Sequence, residues 1–105
     1  MDKAKQDGLA GAGWRRGDAA DFLELTEEEA AFVELKLALA EYLRELRMRN
    51  SWTQAQVARR LGSSQSRVAK MEAADPSVSL DLLVKALLAL GASRDEVGGV
   101  IARAA

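Results

Sequence analysis

The sequence predicts an all-α domain of five helices, and three observations lead to that prediction. A threonine or serine is followed three residues later by glutamate or glutamine at Thr26, Thr53 and Ser93, which is the capping-box signal of a helix start. Apolar residues recur at steps of three and four along most of the chain. Strand-like alternation and the paired turn residues of β-hairpins are lacking in the sequence.

The length of 105 residues corresponds to one compact domain. Residues 1–24 contain four glycines and little periodicity, so we expect a flexible leader there. Residues 25–105 are then expected to form the folded domain.

The first helix is expected to be long. Order should begin near Leu25, because Thr26 and Glu29 form a capping box in front of a periodic segment that extends to about Met48. The apolar residues of this segment follow the alternating spacing that keeps one seam facing a partner: Phe32, Leu35, Leu39, Tyr42 and Leu46. That partner is either the core of this chain or another protein.

The next two helices are short and closely spaced. Thr53 and Gln56 form the second capping box, and the helix that they open should end at Gly62. Ser64 can cap the following helix, which Pro76 prevents from continuing.

The last two helices differ in how well their sequences favour a helix. Ser79 opens the fourth helix and Gly91 ends it, with an inward face composed of Leu80, Leu83, Leu87 and Leu90. Ser93 opens the fifth helix. Because glycine is a poor helix former, Gly98 and Gly99 should leave this helix short, frayed or dependent on a partner.

The composition excludes several classes of function. The chain has no cysteine and no histidine, which rules out zinc sites and cysteine or histidine nucleophiles. No arrangement of serine, aspartate and lysine suggests a nucleophile with its base, so we expect neither enzymatic activity nor a cofactor or metal. Apolar runs long enough for a signal peptide or a membrane span are also lacking, and we expect a cytoplasmic protein with no membrane partner.

The charge is distributed unevenly. The formal net charge is −1, yet residues 43–72 carry seven basic and two acidic side chains, a local charge of +5. The remaining residues together carry −6. Such a basic block indicates a surface that faces a polyanion, although solvated helix faces explain it equally well.

Residues 53–72 have the pattern of a helix-turn-helix. Ala58 is small where two crossing helices approach closely, and Gly62 can adopt the positive φ of the turn. The apolar residues fall where the helix pair must bury its inner face: Val57, Leu61, Val68 and Met71. The combination is more specific than any single residue and predicts a DNA-reading unit.

The stretch TQAQVARRLGSSQSRVAKMEAADPSVSLDLLVKALLALG resembles the phage-repressor-like helix-turn-helix family, whose members are often called Xre-type regulators. The preceding FLELTEEEAAFVELKLALAEYLRELR is similar to the lead helix of the branch that includes HigA-like antitoxins. The resemblance implies a five-helix, lambda-repressor-like DNA-binding domain with an extended first helix. It also implies a sequence-specific transcriptional regulator that acts as a repressor.

By this resemblance, residues 64–73 form the recognition helix, which enters the major groove of DNA. Glutamine can read adenine and arginine or lysine can read guanine, whereas serine discriminates less. The residues at the family's base-facing and groove-facing positions are Gln65, Ser66, Arg67 and Lys70. Gln54 matches a phosphate-binding position at a helix N-terminus, which also favours an anion. Further candidate phosphate contacts, each explained equally well as a solvated charge, are Arg47, Arg49 and Arg59.

Three positions qualify the resemblance. Glu72 matches a position with a structural role, so we do not expect it to contact DNA. Ala74 stands where many relatives have glycine, so the loop after the recognition helix should differ. Gly98 and Gly99 should weaken the last helix.

The implied partners are double-stranded DNA and a second copy of the chain, because one recognition helix reads too little sequence. An alternative function is that of an antitoxin that also regulates its own operon. Residues 21–41 carry seven acidic residues and one lysine, which would suit a small basic toxin, although acidic solubilising surface explains them too.

Overall fold

The structure of the chain, a computed structural model, describes residues 25–104. These residues form helices and loops without any strand, which confirms the predicted all-α class with five helices. The predicted leader lies outside the described residues. The helices in chain order are α1 (Glu27–Arg49), α2 (Gln54–Leu61), α3 (Gln65–Glu72), α4 (Leu80–Ala89) and α5 (Arg94–Ala104).

The chain divides at Glu34 into two units, and α2 to α5 belong to the second unit, Leu35–Ala105. No helix between residues 25 and 104 is both long enough and apolar enough to cross a membrane. Within the same residues, no group of three or more carboxylates is arranged to hold a metal ion.

The predicted capping boxes all form, because each needs only side chains and backbone groups within one turn. In the box at the start of α2, the Thr53 hydroxyl accepts a hydrogen bond from the Gln56 N–H at 3.0 Å, and the Gln56 side chain accepts one from the Thr53 N–H at 2.8 Å. The same reciprocal pairs open α1 and α5, between Thr26 and Glu29 and between Ser93 and Glu96.

The inward face of α1 differs in part from the predicted seam. Leu39 and Leu46 are buried as expected. Leu43 is also fully buried, whereas its neighbour Tyr42 is only half-buried, and Phe32 is 47% exposed. Tyr42 and Leu43 each lie three or four residues from Leu39 and Leu46. The core lies on the side of α1 that carries Leu43.

The hydrophobic core between α2 and α3 follows the helix-turn-helix pattern. Val57 and Val68 are fully buried, and Leu61, also predicted to face inward, is half-buried. Gly62 ends α2 with φ +66° and ψ 37°, the left-handed conformation that costs glycine no steric strain. The predicted turn is therefore confirmed, and it sets α3 across α2.

The helix α5 is longer than its two glycines suggest. It runs for 11 residues through Gly98 and Gly99 without interruption. Val97 and Val100 are each only 6% exposed, and α5 packs on α4. Burial of two valines offsets the roughly 1 kcal/mol that each glycine costs a helix, so packing inside this chain maintains the helix.

Candidate nucleic-acid interface

The predicted recognition helix corresponds to α3. Ser64 opens it, since its hydroxyl accepts a hydrogen bond from the Arg67 N–H at 3.1 Å. Val68 and Met71 anchor the inner side of the helix in the core. An eight-residue helix fixed at one end by a cap and along one side by burial presents its remaining side chains to solvent.

The four predicted base-facing residues are all exposed: Gln65, Ser66, Arg67 and Lys70. At about 100° per residue, Ser66 and Lys70 lie opposite the buried stripe of α3. Arg67 lies on the flank towards α4, where it lines a groove together with Lys85. Gln65 lies on the other flank. The predicted residues thus form one exposed surface whose centre is Ser66 and Lys70.

Lys85 is a cation that the sequence analysis missed. It lies on α4, outside the helix-turn-helix segment, and its side chain is exposed. Lys85 and Arg67 line the same groove because α4 packs on α2. The one sequence signal for Lys85 is that it is a basic residue on the exposed face of α4, the helix that follows the motif.

A partly buried network fixes both helices of the motif to the end of α1, and it consists of Arg47, Gln54 and Glu72. The Arg47 guanidinium donates to both carboxylate oxygens of Glu72, from Nε to Oε2 at 2.5 Å and from Nη2 to Oε1 at 3.1 Å. Gln54 Nε2 donates to Glu72 Oε1 at 3.1 Å. Arg47 also donates to the Trp52 carbonyl at 3.2 Å. The network therefore joins α1, the α1–α2 loop, α2 and α3.

The electrostatics of this network are those of a nearly buried ion pair. The side chains of Glu72 and Arg47 are only 6% and 17% exposed. The hydrogen bond from Arg47 to Glu72 raises the pKa of Arg47, so the guanidinium stays charged. Glu72 thus has the structural role expected for it. Arg47 and Gln54, both candidate phosphate contacts, direct their donors to this carboxylate.

Residues 38–98 match the model of the helix-turn-helix domain family. The chain belongs to the helix-turn-helix domain family. No curated protein and no solved structure shows significant similarity to the chain. Membership supports DNA binding by the unit that α2 and α3 form.

The other two arginines predicted to contact phosphates, Arg49 and Arg59, lie in different places. Arg49 lies at the end of α1, where Nη2 donates to the Tyr42 hydroxyl at 3.4 Å and the guanidinium lies 5.7 Å from the ring. Arg59 is exposed on α2 and lines a shallow surface depression with Trp52 and Arg60. The Arg60 guanidinium stacks over the Trp52 ring at 4.2 Å. The sequence gives no signal for this stacking, because Trp52 and Arg60 are brought together by the turn into α2.

The loop after α3 contains a non-glycine residue with positive φ. Ala74 has φ +53°, the left-handed region that glycine occupies without strain. Its N–H donates to the Met71 carbonyl at 3.1 Å, and the following Asp75 N–H donates to the Lys70 carbonyl at 3.0 Å. The alanine therefore adopts the conformation at a steric cost, and these two hydrogen bonds hold it there.

Proposed function

We propose that this chain is a sequence-specific DNA-binding transcriptional regulator of the Xre type, which inserts α3 into the major groove and acts as a repressor. The observation that carries the proposal is the two-sided character of α3. Val68 and Met71 anchor one side, while Gln65, Ser66 and Lys70 extend from the other. A rigid helix with exposed polar side chains at its N-terminal end is what base reading requires.

The proposed contacts are assigned by position and chemistry. Gln65 pairs with adenine, Lys70 and Arg67 contact guanine, and Ser66 contributes a less discriminating hydrogen bond. Lys85, beside Arg67, adds a phosphate contact. Among the four, Arg67 lies at the edge of the surface next to α4, so its contribution should be smaller than that of Lys70.

We propose that three sites on α1 and α2 contact DNA phosphates. The N-terminus of α2 at Gln54 favours an anion through its free backbone N–H groups. Arg59 is exposed and provides a mobile cation, and Arg49 provides another at the end of α1. We assign Arg47 to the partly buried network, because its guanidinium already donates to Glu72 and Trp52.

We propose that the chain binds DNA as a symmetric dimer. One α3 helix contacts too few base pairs for specificity, and paired half-sites solve this by symmetry. Large apolar side chains that remain exposed in the described part of the second unit are Met48, Leu88 and Ile101. Burial of these side chains by a second copy would add the stabilisation that a dimer needs.

The test is to select bound duplexes from a random-sequence pool with the full chain and to sequence them. The proposal expects an enriched palindrome with half-sites about one helical turn apart. Sedimentation with and without the selected duplex gives the oligomeric state. Recovery of sequences without any shared site would refute specific recognition, and a 1:1 complex on the palindrome would refute the dimer.

A second candidate function is that of an antitoxin in a HigA-like pair. The observation that favours it is a groove between α1 and α5, where Glu41 and Glu45 on α1 lie beside Tyr42 and Arg103 lines the α5 side. Acidic side chains around an aromatic residue suit a basic partner segment. Co-expression with the product of a neighbouring gene for a small basic protein tests this. Reversing both charges, Glu41→Lys with Glu45→Lys, should abolish protection from toxicity while Gln65→Ala leaves it unchanged.

A further inference from the structure

Asp75 occupies an unusual position for a carboxylate. It follows α3 in the α3–α4 loop, and its N–H donates to the Lys70 carbonyl at 3.0 Å, so that it continues the C-terminal end of the helix. Lys36 Nζ approaches the Asp75 carbonyl oxygen at 3.5 Å. Asp75 therefore lies at the C-terminal end of the proposed recognition helix, with its backbone carbonyl towards Lys36.

The carboxylate is held in its ionised form. Its Oδ1 accepts hydrogen bonds from the Ser77 N–H at 2.8 Å and from the Ser77 hydroxyl at 2.7 Å. These bonds lower the pKa of Asp75, and the charges of Lys70 and Lys36 lower it further. At neutral pH the loop thus carries one fixed negative charge.

The fold does not need this charge. The turn that Asp75 forms with Ser77 is one that asparagine forms equally well, since the amide oxygen accepts the same hydrogen bonds. A negative charge at a helix C-terminus is also unfavourable, because the helix dipole is negative there. The charge is therefore not required for the turn, although Ser77 and the nearby lysines stabilise it in the folded protein.

We propose that Asp75 attenuates the charge-driven part of DNA binding, an inference that rests on the proposed function. The carboxylate offsets the charge of Lys70, one of the cations that the recognition helix offers to DNA, and repels the phosphate backbone itself. The ionic contribution to the affinity for any DNA sequence is thereby reduced. The hydrogen bonds of the uncharged Gln65 side chain are unaffected. The protein then depends more on base reading and less on bulk charge.

The test is the variant Asp75→Asn in the full chain, measured on a random-sequence duplex over a series of salt concentrations. In water, a charge about 8 Å from its partner corresponds to about a twofold change in affinity. We expect Asp75→Asn to bind about twofold more tightly at low salt, with a steeper salt dependence. The advantage should vanish at high salt, where screening is strong.

Three matched variants separate charge from structure. Asp95→Asn makes the same charge change in the first turn of α5 and should leave DNA affinity unchanged. Asp75→Glu keeps the charge and should bind like the wild type. Ser77→Ala removes the hydroxyl partner but keeps the carboxylate, so it should lower the melting temperature without tightening binding.

The outcomes distinguish this inference from the proposed function. If Asp75→Asn binds like the wild type while Lys70→Ala weakens binding, the inference is wrong and the proposed function stands. Equal gains from Asp75→Asn and Asp95→Asn would show a bulk charge effect and would also overturn it. If the wild-type chain binds no duplex at any salt concentration, the proposed function fails and the inference fails with it.

Discussion

The two sides of the helix-turn-helix are stabilised in opposite ways. On the inner side, Arg47, Gln54 and Glu72 bond to one another. On the outer side, the side chains of Gln65 and Lys70 form no hydrogen bond to any residue in the described part of the chain. The inner residues determine where α3 lies, and the outer ones remain available to a ligand.

This difference teaches how to separate structural from functional effects in the helix-turn-helix. Substitutions on the inner side should lower the free energy of unfolding and reduce DNA binding only as a consequence. Substitutions on the outer side should change DNA binding and leave the free energy of unfolding unchanged. Measurements of unfolding free energy and DNA binding on single variants test this contrast.

The largest effect is expected from Glu72→Ala. It leaves the Arg47 guanidinium, 17% exposed, without its carboxylate partner, and breaking this partly buried pair should cost about 2 to 3 kcal/mol, less than for a fully buried pair. The measurement is urea unfolding followed by Trp52 fluorescence, in a Trp14→Phe background that leaves one tryptophan. Glu45→Ala, on the exposed face of α1, is the control and should change the unfolding free energy by less than about 0.5 kcal/mol. Equal stability of the two variants would mean that the network contributes nothing.

A smaller loss is expected from Val68→Ala, which removes two methyl groups from a fully buried site. We expect a destabilisation of about 2 kcal/mol, from lost burial and from the cavity that remains. Leu61→Ala removes a larger side chain than Val68→Ala does. It should nevertheless lower the free energy of unfolding by only about 1 kcal/mol, because Leu61 is only half-buried. Thermal unfolding of both variants checks the order, and a larger loss at Leu61 would contradict the inner face described above.

On the outer side, Gln65→Ala should leave the unfolding free energy unchanged and remove one base contact. The expected cost is about 1 to 3 kcal/mol on the selected palindrome, with little change on unrelated DNA. Arg59→Ala is the matched contrast. It should weaken binding to all sequences alike and reduce the salt slope by about one unit. If Gln65→Ala weakens specific and non-specific binding equally, α3 is not the reading helix.

The smallest effect concerns backbone conformation away from both sides. Ser51, in the α1–α2 loop, is exposed and has φ +58°, so Ser51→Gly should raise the unfolding free energy by up to about 1 kcal/mol. Ser63→Gly, in the α2–α3 turn at an ordinary negative φ, should instead lower it by about 0.5 kcal/mol. A loss of stability in both variants would show that Ser51 is not strained.

Much of the fold could be predicted because its signals are local. A capping box such as Thr53 with Gln56 involves atoms three residues apart, and the left-handed turn at Gly62 follows from the absence of a side chain. Burial of Val57 and Val68 follows from their spacing. The exposure of the predicted base-facing residues then follows from the same helical period.

The tertiary structure decided what depends on residues far apart in the chain. Arg47 and Glu72 are 25 positions apart, so sequence spacing alone could suggest a phosphate contact for Arg47 but not its carboxylate partner. The sequence predicted Tyr42 on the inward face of α1 and missed Leu43, which is the residue that the core buries completely.

The same holds for the last helix and for the surface around α3. Local propensity argued against α5 because of its glycine pair, yet the burial of Val100 against the rest of the domain maintains the helix. Lys85 and Asp75 become neighbours of the α3 surface only through the packing of α4 and the loop before it. Local chemistry therefore determined where helices begin and end, and long-range packing determined which side of each helix is buried and which charges lie together, because those depend on contacts between distant parts of the chain.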